Sequence, residues 1–227
     1  MKLYELCGDD SRRFSPYCWR TRMALAIKGI EVEAASVGFS EIPGICGGTG
    51  KTVPTLETDV SVIVGSFEIA LHLDKVHPAN PLFRGEAAEV HCRLIQGWAD
   101  TAVVAGLASM IVVDVWSVLR PQDKDYFRTT REARFGKTLE EFQSGREDRV
   151  ASFNSMTLAP ARRALASAQW LGGEQPDYAD CILFGTLMWP HVVSEFTVLE
   201  DGPIMDWFRR CLEMVPGEAE VEALLAA

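Results

Sequence analysis

Nowhere in the 227 residues do 18 apolar side chains follow one another, which leaves no simple candidate for a membrane-spanning helix. The most apolar stretch, Thr101 to Val115, is interrupted by Asp114 and reads as a buried helix of a globular core. A C-x-x-C pair is also missing. Cys7, Cys18, Cys46, Cys92, Cys181 and Cys211 stand singly, a spacing that suits neither a zinc site nor a disulfide framework. Reduced thiols and no metal are the expectation. Positive charge is in deficit, with 22 Lys+Arg against 32 Asp+Glu and a formal net charge of −10. Such a chain lacks the basic surface that tracks nucleic-acid phosphates, although Arg12, Arg13, Arg20 and Arg22 form a local cluster. The segment Met1-Lys2-Leu3-Tyr4-Glu5 holds no hydrophobic signal core, and a cytoplasmic location is expected.

What is present is ordinary globular composition, 48% hydrophobic and 24% charged, enough for one large domain or two small ones. The most informative stretch runs from Arg13 to Gly29. Ser15 is a favoured N-cap and Pro16 fits the first helical position. Trp19, Met23, Ile27 and Ile30 then recur at helical spacing, with Arg20, Arg22 and Lys28 on other faces and Gly29 as the stop. The strand-like Lys2–Cys7 precedes it, so the helix start lies at the carboxyl end of a strand, where free N–H groups and the helix dipole favour an anion.

Glu31–Val37 reads as a second strand, parallel to the first. Residues 40–50, with four glycines and a proline, read as a loop. Thr52–Glu57 contains Pro54 inside an apolar run, a conflict that a cis Val53–Pro54 peptide would resolve. Val60–Val64 is its hairpin partner, and Ser66 is an N-cap candidate for a helix over Phe67–Val76. The expected order is β-α-β-β-β-α over residues 1–77, a linker over 78–85 and an all-helical unit over 86–227. Pro190 should kink or end its helix, Asp123 could cap the helix carrying Tyr126, and Asp177 with Asp180 forms a capping box.

A thioredoxin-like α/β unit followed by a helical one resembles the two-domain plan of glutathione transferases. Ser15-Pro16-Tyr17-Cys18 looks like the glutaredoxin Cys-Pro-Tyr-Cys site with serine replacing the first cysteine. Val53-Pro54 resembles the thioredoxin-fold cis-proline step, and Gly65-Ser66 falls where an acid–serine pair usually holds the γ-glutamyl end of glutathione. Asp177 to Asp180 matches the family's capping box. Pro121–Tyr126, Gly145–Arg149, Trp170–Pro176 and the Ser15–Thr21 stretch are similar to the bacterial lignin β-aryl-etherases and the fungal etherase-related FuA class.

That resemblance implies glutathione as co-substrate, with Ser15 hydrogen-bonding its sulfur and Lys51, Val53, Pro54, Gly65 and Ser66 binding the rest. It implies a transferase of detoxification type, a homodimer, and a small hydrophobic or aromatic electrophile, with an aryl ether as the specific expectation. Tyr17, Trp116 and Tyr126 are candidates for the substrate pocket. The acid usual at position 65 is missing; Glu68, one turn on, or an acid of a partner subunit could substitute. Two other readings stand beside this one: a thiol–disulfide oxidoreductase using Cys18 or Cys7, which needs a low-pKa thiol, and a non-catalytic glutathione-fold binding module.

Overall fold

The structure is a computed structural model that describes residues 1–215; the last part of the expected helical unit, 216–227, lies outside the described residues. Strands β1 (Lys2–Leu6), β2 (Glu33–Val37), β3 (Thr55–Glu57) and β4 (Val62–Val64) form one mixed sheet in the order β2-β1-β3-β4. β1 and β2 are parallel, with Lys2 opposite Glu33 and Leu6 opposite Val37. β3 runs antiparallel to both of its neighbours. A parallel pair cannot be closed by a tight turn and needs a crossover, here helix α1 (Pro16–Lys28). Leu3 of β1 and Leu56 of β3 bury against Leu25 of α1 and against Ile69 and Leu73 of α2 (Ser66–Val76).

α1 begins and ends where local chemistry directs. The Ser15 hydroxyl accepts the Cys18 N–H at 3.4 Å, and such a cap contributes about 1 kcal/mol. Gly29, at φ +66°, closes the far end while Ile30 N–H returns to the Leu25 carbonyl at 3.0 Å. The faces of α1 differ from the expectation. Trp19 and Met23 are buried, but so are Arg20 and Lys28, because each finds acceptors. Lys28 Nζ donates to the His77 and Ala79 carbonyls and pairs with Asp74. At α2 the N-cap is Gly65, and Ser66 is the first helical residue rather than the cap.

The helical part opens with α3 (Ala88–Trp98), which passes through a π-turn at Ala99–Val103 into α4 (Val104–Ser117) as one continuous helix. By length and composition this helix is apolar enough to cross a membrane. Here Leu107, Met110, Ile111 and Val115 are buried in the core, and Asp114 accepts from Arg146 Nη1 at 2.7 Å and from the Ser194 hydroxyl at 2.6 Å. There follow α5 (Pro121–Phe135), α6 (Leu139–Gln143), α7 (Glu147–Ser152), a π-turn at Phe153–Thr157, α8 (Ala159–Leu165), α9 (Tyr178–Val193) and α10 (Pro203–Met214).

α9 is the central helix, nearly all of it buried, and it lies along α1. The close approach depends on Gly185, where a Cβ would stand 2.5 Å from the Pro16 carbonyl oxygen and 2.5 Å from the Arg20 nitrogen. Asp177 caps it, accepting from Ala179 N–H at 2.7 Å, while Asp180 accepts from Asp177 N–H at 3.0 Å. Asp180 does more than close that box: it also takes the Leu171 and Gly172 N–H groups and the Trp207 indole at 2.8 Å. Pro190 does not stop α9, which runs to Val193 before ending.

Candidate functional site

Two cavities meet at the carboxyl end of the sheet. The smaller, about 240 Å³, is lined by Pro54, Gly65, Ser66, Phe67, Glu68 and Gln96 together with Tyr17, Thr52 and Val53. The larger, about 630 Å³, also reaches Tyr17, Thr52 and Val53 and continues past Ser15 between α1, the segment after β2, α4 and α5. Tyr17, Thr52 and Val53 are therefore the shared wall, and Ser15 stands on the larger side of it.

Each part of this junction has a local cause. Ser15 is 4% exposed and holds its place as the N-cap of α1. Its oxygen accepts the Cys18 N–H, and a hydroxyl used as an acceptor still has a proton to donate. The Val53–Pro54 peptide is cis, and the Pro54 carbonyl accepts Gly65 N–H at 2.9 Å, which joins the start of β3 to the start of α2. Gly65 sits at φ +93° with open space where a Cβ would stand. A side chain there has room but a strained backbone, which gives a conformational reason for glycine where an acid was expected.

Beneath the Phe14–Ser15 turn lies a buried ion cluster that the sequence pattern does not show. Glu5 of β1 is 1% exposed and accepts from Arg22 Nε at 2.6 Å, Arg22 Nη2 at 2.5 Å and Arg13 Nε at 3.3 Å. Two of the four N-terminal arginines of the expected basic cluster are thus paired, sharing one carboxylate. Arg20 is a third. Fully buried, it donates to Asp100 Oδ1 at 2.7 Å and Thr186 Oγ1 at 3.0 Å, with its guanidinium 4.5 Å from the Tyr17 ring centre. Asp100 lies on the π-turn and lines the larger cavity, so this ion pair fixes Tyr17 between the two cavities. The Tyr17 phenol is pushed up by burial first and by Asp100 second.

The thiols are placed differently from what redox chemistry needs. Cys18 is 0% exposed, and burial pushes its thiol up to about 12. Cys7 is buried and raised for the same reason. Among the other sequence candidates, Lys51 is exposed and lines neither cavity. Trp116 is outside the lining as well, covered by Lys124 and Arg128 with their cations 4.8 and 4.6 Å from its ring. Tyr126 is 55% exposed, its ring 5.8 Å from that of Phe39 at the outer edge of the larger cavity rather than in its wall. Asp123 does not cap α5, which starts at Pro121; its carboxylate instead accepts from Phe39 N–H at 3.0 Å and Ser40 N–H at 2.9 Å, at the start of a kinked 3-10 stretch over Phe39–Gly48 where a plain loop was expected over 40–50. Gln96, Arg131 and Arg134, which the sequence reading did not single out, do line the cavities.

Residues 92–213 match the family model described as the glutathione S-transferase C-terminal domain, and residues 14–76 match that of the N-terminal domain. The chain belongs to the glutathione S-transferase family. It is 28% identical over 244 residues to the glutathione S-transferase-like protein ustS of Aspergillus flavus, an alignment covering 95% of this chain and 84% of the relative. Glutathione transferase GSTFuA3 from Phanerochaete chrysosporium superposes with a TM-score of 0.83 at 25% identity, covering 94% of this chain and 96% of that one. CsGST63524 of Ceriporiopsis subvermispora, whose crystal structure is a complex with glutathione, gives a TM-score of 0.79 at 23% identity over 94% and 96% of the two chains. In this family framework the cis-proline step and the Gly65-Ser66 turn form the smaller cavity, and the helical part supplies α4 and α5 to the larger.

Proposed function

We propose that this protein is a glutathione transferase in which Ser15 stabilises the glutathione thiolate for attack on an aromatic electrophile held in the larger cavity. One observation carries the reading: Ser15, at the N-terminus of α1, lines the larger cavity close to the shared wall of Tyr17, Thr52 and Val53, where the smaller cavity built on Pro54, Gly65 and Ser66 adjoins it. A glutathione-bound relative with the same fold supports placing the tripeptide in the cradle. Val53, Pro54, Gly65 and Ser66 would hold it, with Glu68 rather than residue 65 as the acid available to its ammonium group; Lys51 would have to swing in from the surface. A hydroxyl donor and a helix N-terminus both favour thiolate over thiol. Lowering a thiol pKa from about 8.5 to about 6.5 takes only about 2.7 kcal/mol, well within reach of these two effects. The electrophile's carbon then gains the sulfur and loses its leaving group. An aryl ether, which would release a phenol, is the specific substrate class we propose; Tyr126 is not in the cavity lining and stands behind Phe39, which is. Assembly as a homodimer is part of the same proposal.

Three experiments test it. Calorimetric titration with glutathione should show binding at millimolar concentration or below, and its absence would favour a silent binding module. Ser15→Ala should lower turnover by about a hundredfold, the size typical of losing one preorganised donor, while glutathione affinity changes little. Unchanged turnover in a folded variant would remove Ser15 from the mechanism. Incubation with a β-aryl-ether dimer and glutathione, following phenol release by mass, tests the substrate; conjugation of a chloronitroarene without ether cleavage would leave a general transferase. The oxidoreductase reading has little support, because a thiolate at Cys18 is disfavoured by burial.

A further inference from the structure

Two arginines line the larger cavity, and neither is paired with a carboxylate among the described residues. Arg131 and Arg134, three residues and so one turn apart on α5, both line it. The Arg131 guanidinium lies 4.6 Å from the Phe127 ring centre and 5.4 Å from that of Phe39. It donates a hydrogen bond to the neutral Thr130 hydroxyl at 2.9 Å. Burial lowers its pKa, as expected of a cation short of compensating charge.

The acids nearby are already engaged. Glu132 and Glu140 pair with Arg128 at 2.9 and 2.8 Å. Asp123 takes the backbone of Phe39 and Ser40. Asp100, the one carboxylate lining this cavity among the described residues, is held by Arg20 at 2.7 Å. Around the two arginines the wall is apolar, formed by Phe39, Val112, Phe135 and Phe142. Ring faces and solvent already stabilise these cations in part, but the partner a guanidinium meets best is a carboxylate, through paired N–H donors.

We propose that the second substrate of this site is an anionic aromatic molecule, its ring among Phe39, Phe135 and Phe142 and its carboxylate held by Arg131 and Arg134. This rests on reading the larger cavity as the place of the second substrate. The carboxylate takes no part in bond making; it fixes the orientation in which the electrophilic carbon faces Ser15 and the sulfur beside it.

The test is calorimetric binding of a matched pair, chloronitrobenzoate and chloronitrobenzamide, without glutathione. Charge-assisted pairing implies benzoate binding tighter by roughly tenfold to a hundredfold. In the double variant Arg131→Gln/Arg134→Gln the two probes should bind alike. Equal binding by the wild-type protein, or a preference that survives the double variant, overturns the proposal. Loss of glutathione affinity in the double variant without any benzoate preference would assign the arginines to glutathione and overturn it equally. Should the double variant fail to fold, Arg134→Gln, at an exposed position, must reduce the wild-type preference by about threefold or more. Because glutathione is absent from the binding test, failure of the glutathione reading and failure of this one are separable.

Discussion

The Asp123 carboxylate on α5 and the N–H of Phe39 meet at 3.0 Å, and Ser40 N–H reaches the other carboxylate oxygen at 2.9 Å. Residues 84 positions apart in sequence are thereby joined, and the segment after β2 is pinned as the wall of the larger cavity that faces α5. Gly38 is required for it, since a Cβ there would lie 2.3 Å from Asp123 Oδ2. Asp123→Ala leaves two backbone donors without their acceptor and is expected to cost about 1–3 kcal/mol. For a chain of this size that is a fall in melting temperature of roughly 2–4 °C per kcal/mol. The same variant should be cut faster by protease within 39–50, and unchanged proteolysis would show that Asp123 does not hold this segment.

Glu5 is the second long-range determinant. It sits at 1% exposure between two arginines that are themselves only a fifth to a quarter exposed. Glu5→Ala is expected to destabilise by roughly 2–4 kcal/mol, somewhat under the figure for a wholly buried pair because both arginines can still reach water. Chemical denaturation checks this, and a loss below about 0.5 kcal/mol, the level of an ordinary surface change, would contradict it.

At Gly185 the contact is with backbone, which cannot move aside as a flexible side chain can. Gly185→Ala should therefore force α1 from α9 and cost about 1–3 kcal/mol. Because Arg20 and Tyr17 ride on α1, the variant should also weaken binding in both cavities. A stable, fully active Gly185→Ala protein would mean that the two helices have slack.

Thiol alkylation separates the transferase and oxidoreductase readings. With burial pushing Cys18 up to about 12, its thiolate fraction at pH 8 is about one in ten thousand. A raised thiol pKa keeps the group protonated and unreactive through the physiological range. Cys46, the only cysteine among the described residues that is not buried, should be labelled first by iodoacetamide, with Cys7, Cys18, Cys92, Cys181 and Cys211 protected until denaturant is added. Rapid labelling of Cys18 in the native protein would restore the redox reading.

The features legible in the sequence are those whose determinants lie within a few residues of one another. Ser15-Pro16 starts α1 and Gly29 stops it; Asp177 and Asp180 box the start of α9; the proline inside Thr52–Glu57 marks the turn from which β3 departs. Each is a contest between neighbouring backbone donors and acceptors, so the residue types alone decide it. The tertiary structure decided what depends on pairs far apart. Arg20 reads as a surface charge until α3 and α4 bring Asp100 to it across 80 positions, and Asp123 reads as a helix cap until the Phe39 backbone arrives. Trp116 and Tyr126 match the composition of an aromatic pocket, whereas the helical arrangement turns Arg131 and Arg134 into the cavity and leaves those two rings outside its lining. A buried charge costs more than local propensity can repay, so its position is settled only when the partner that compensates it is in place.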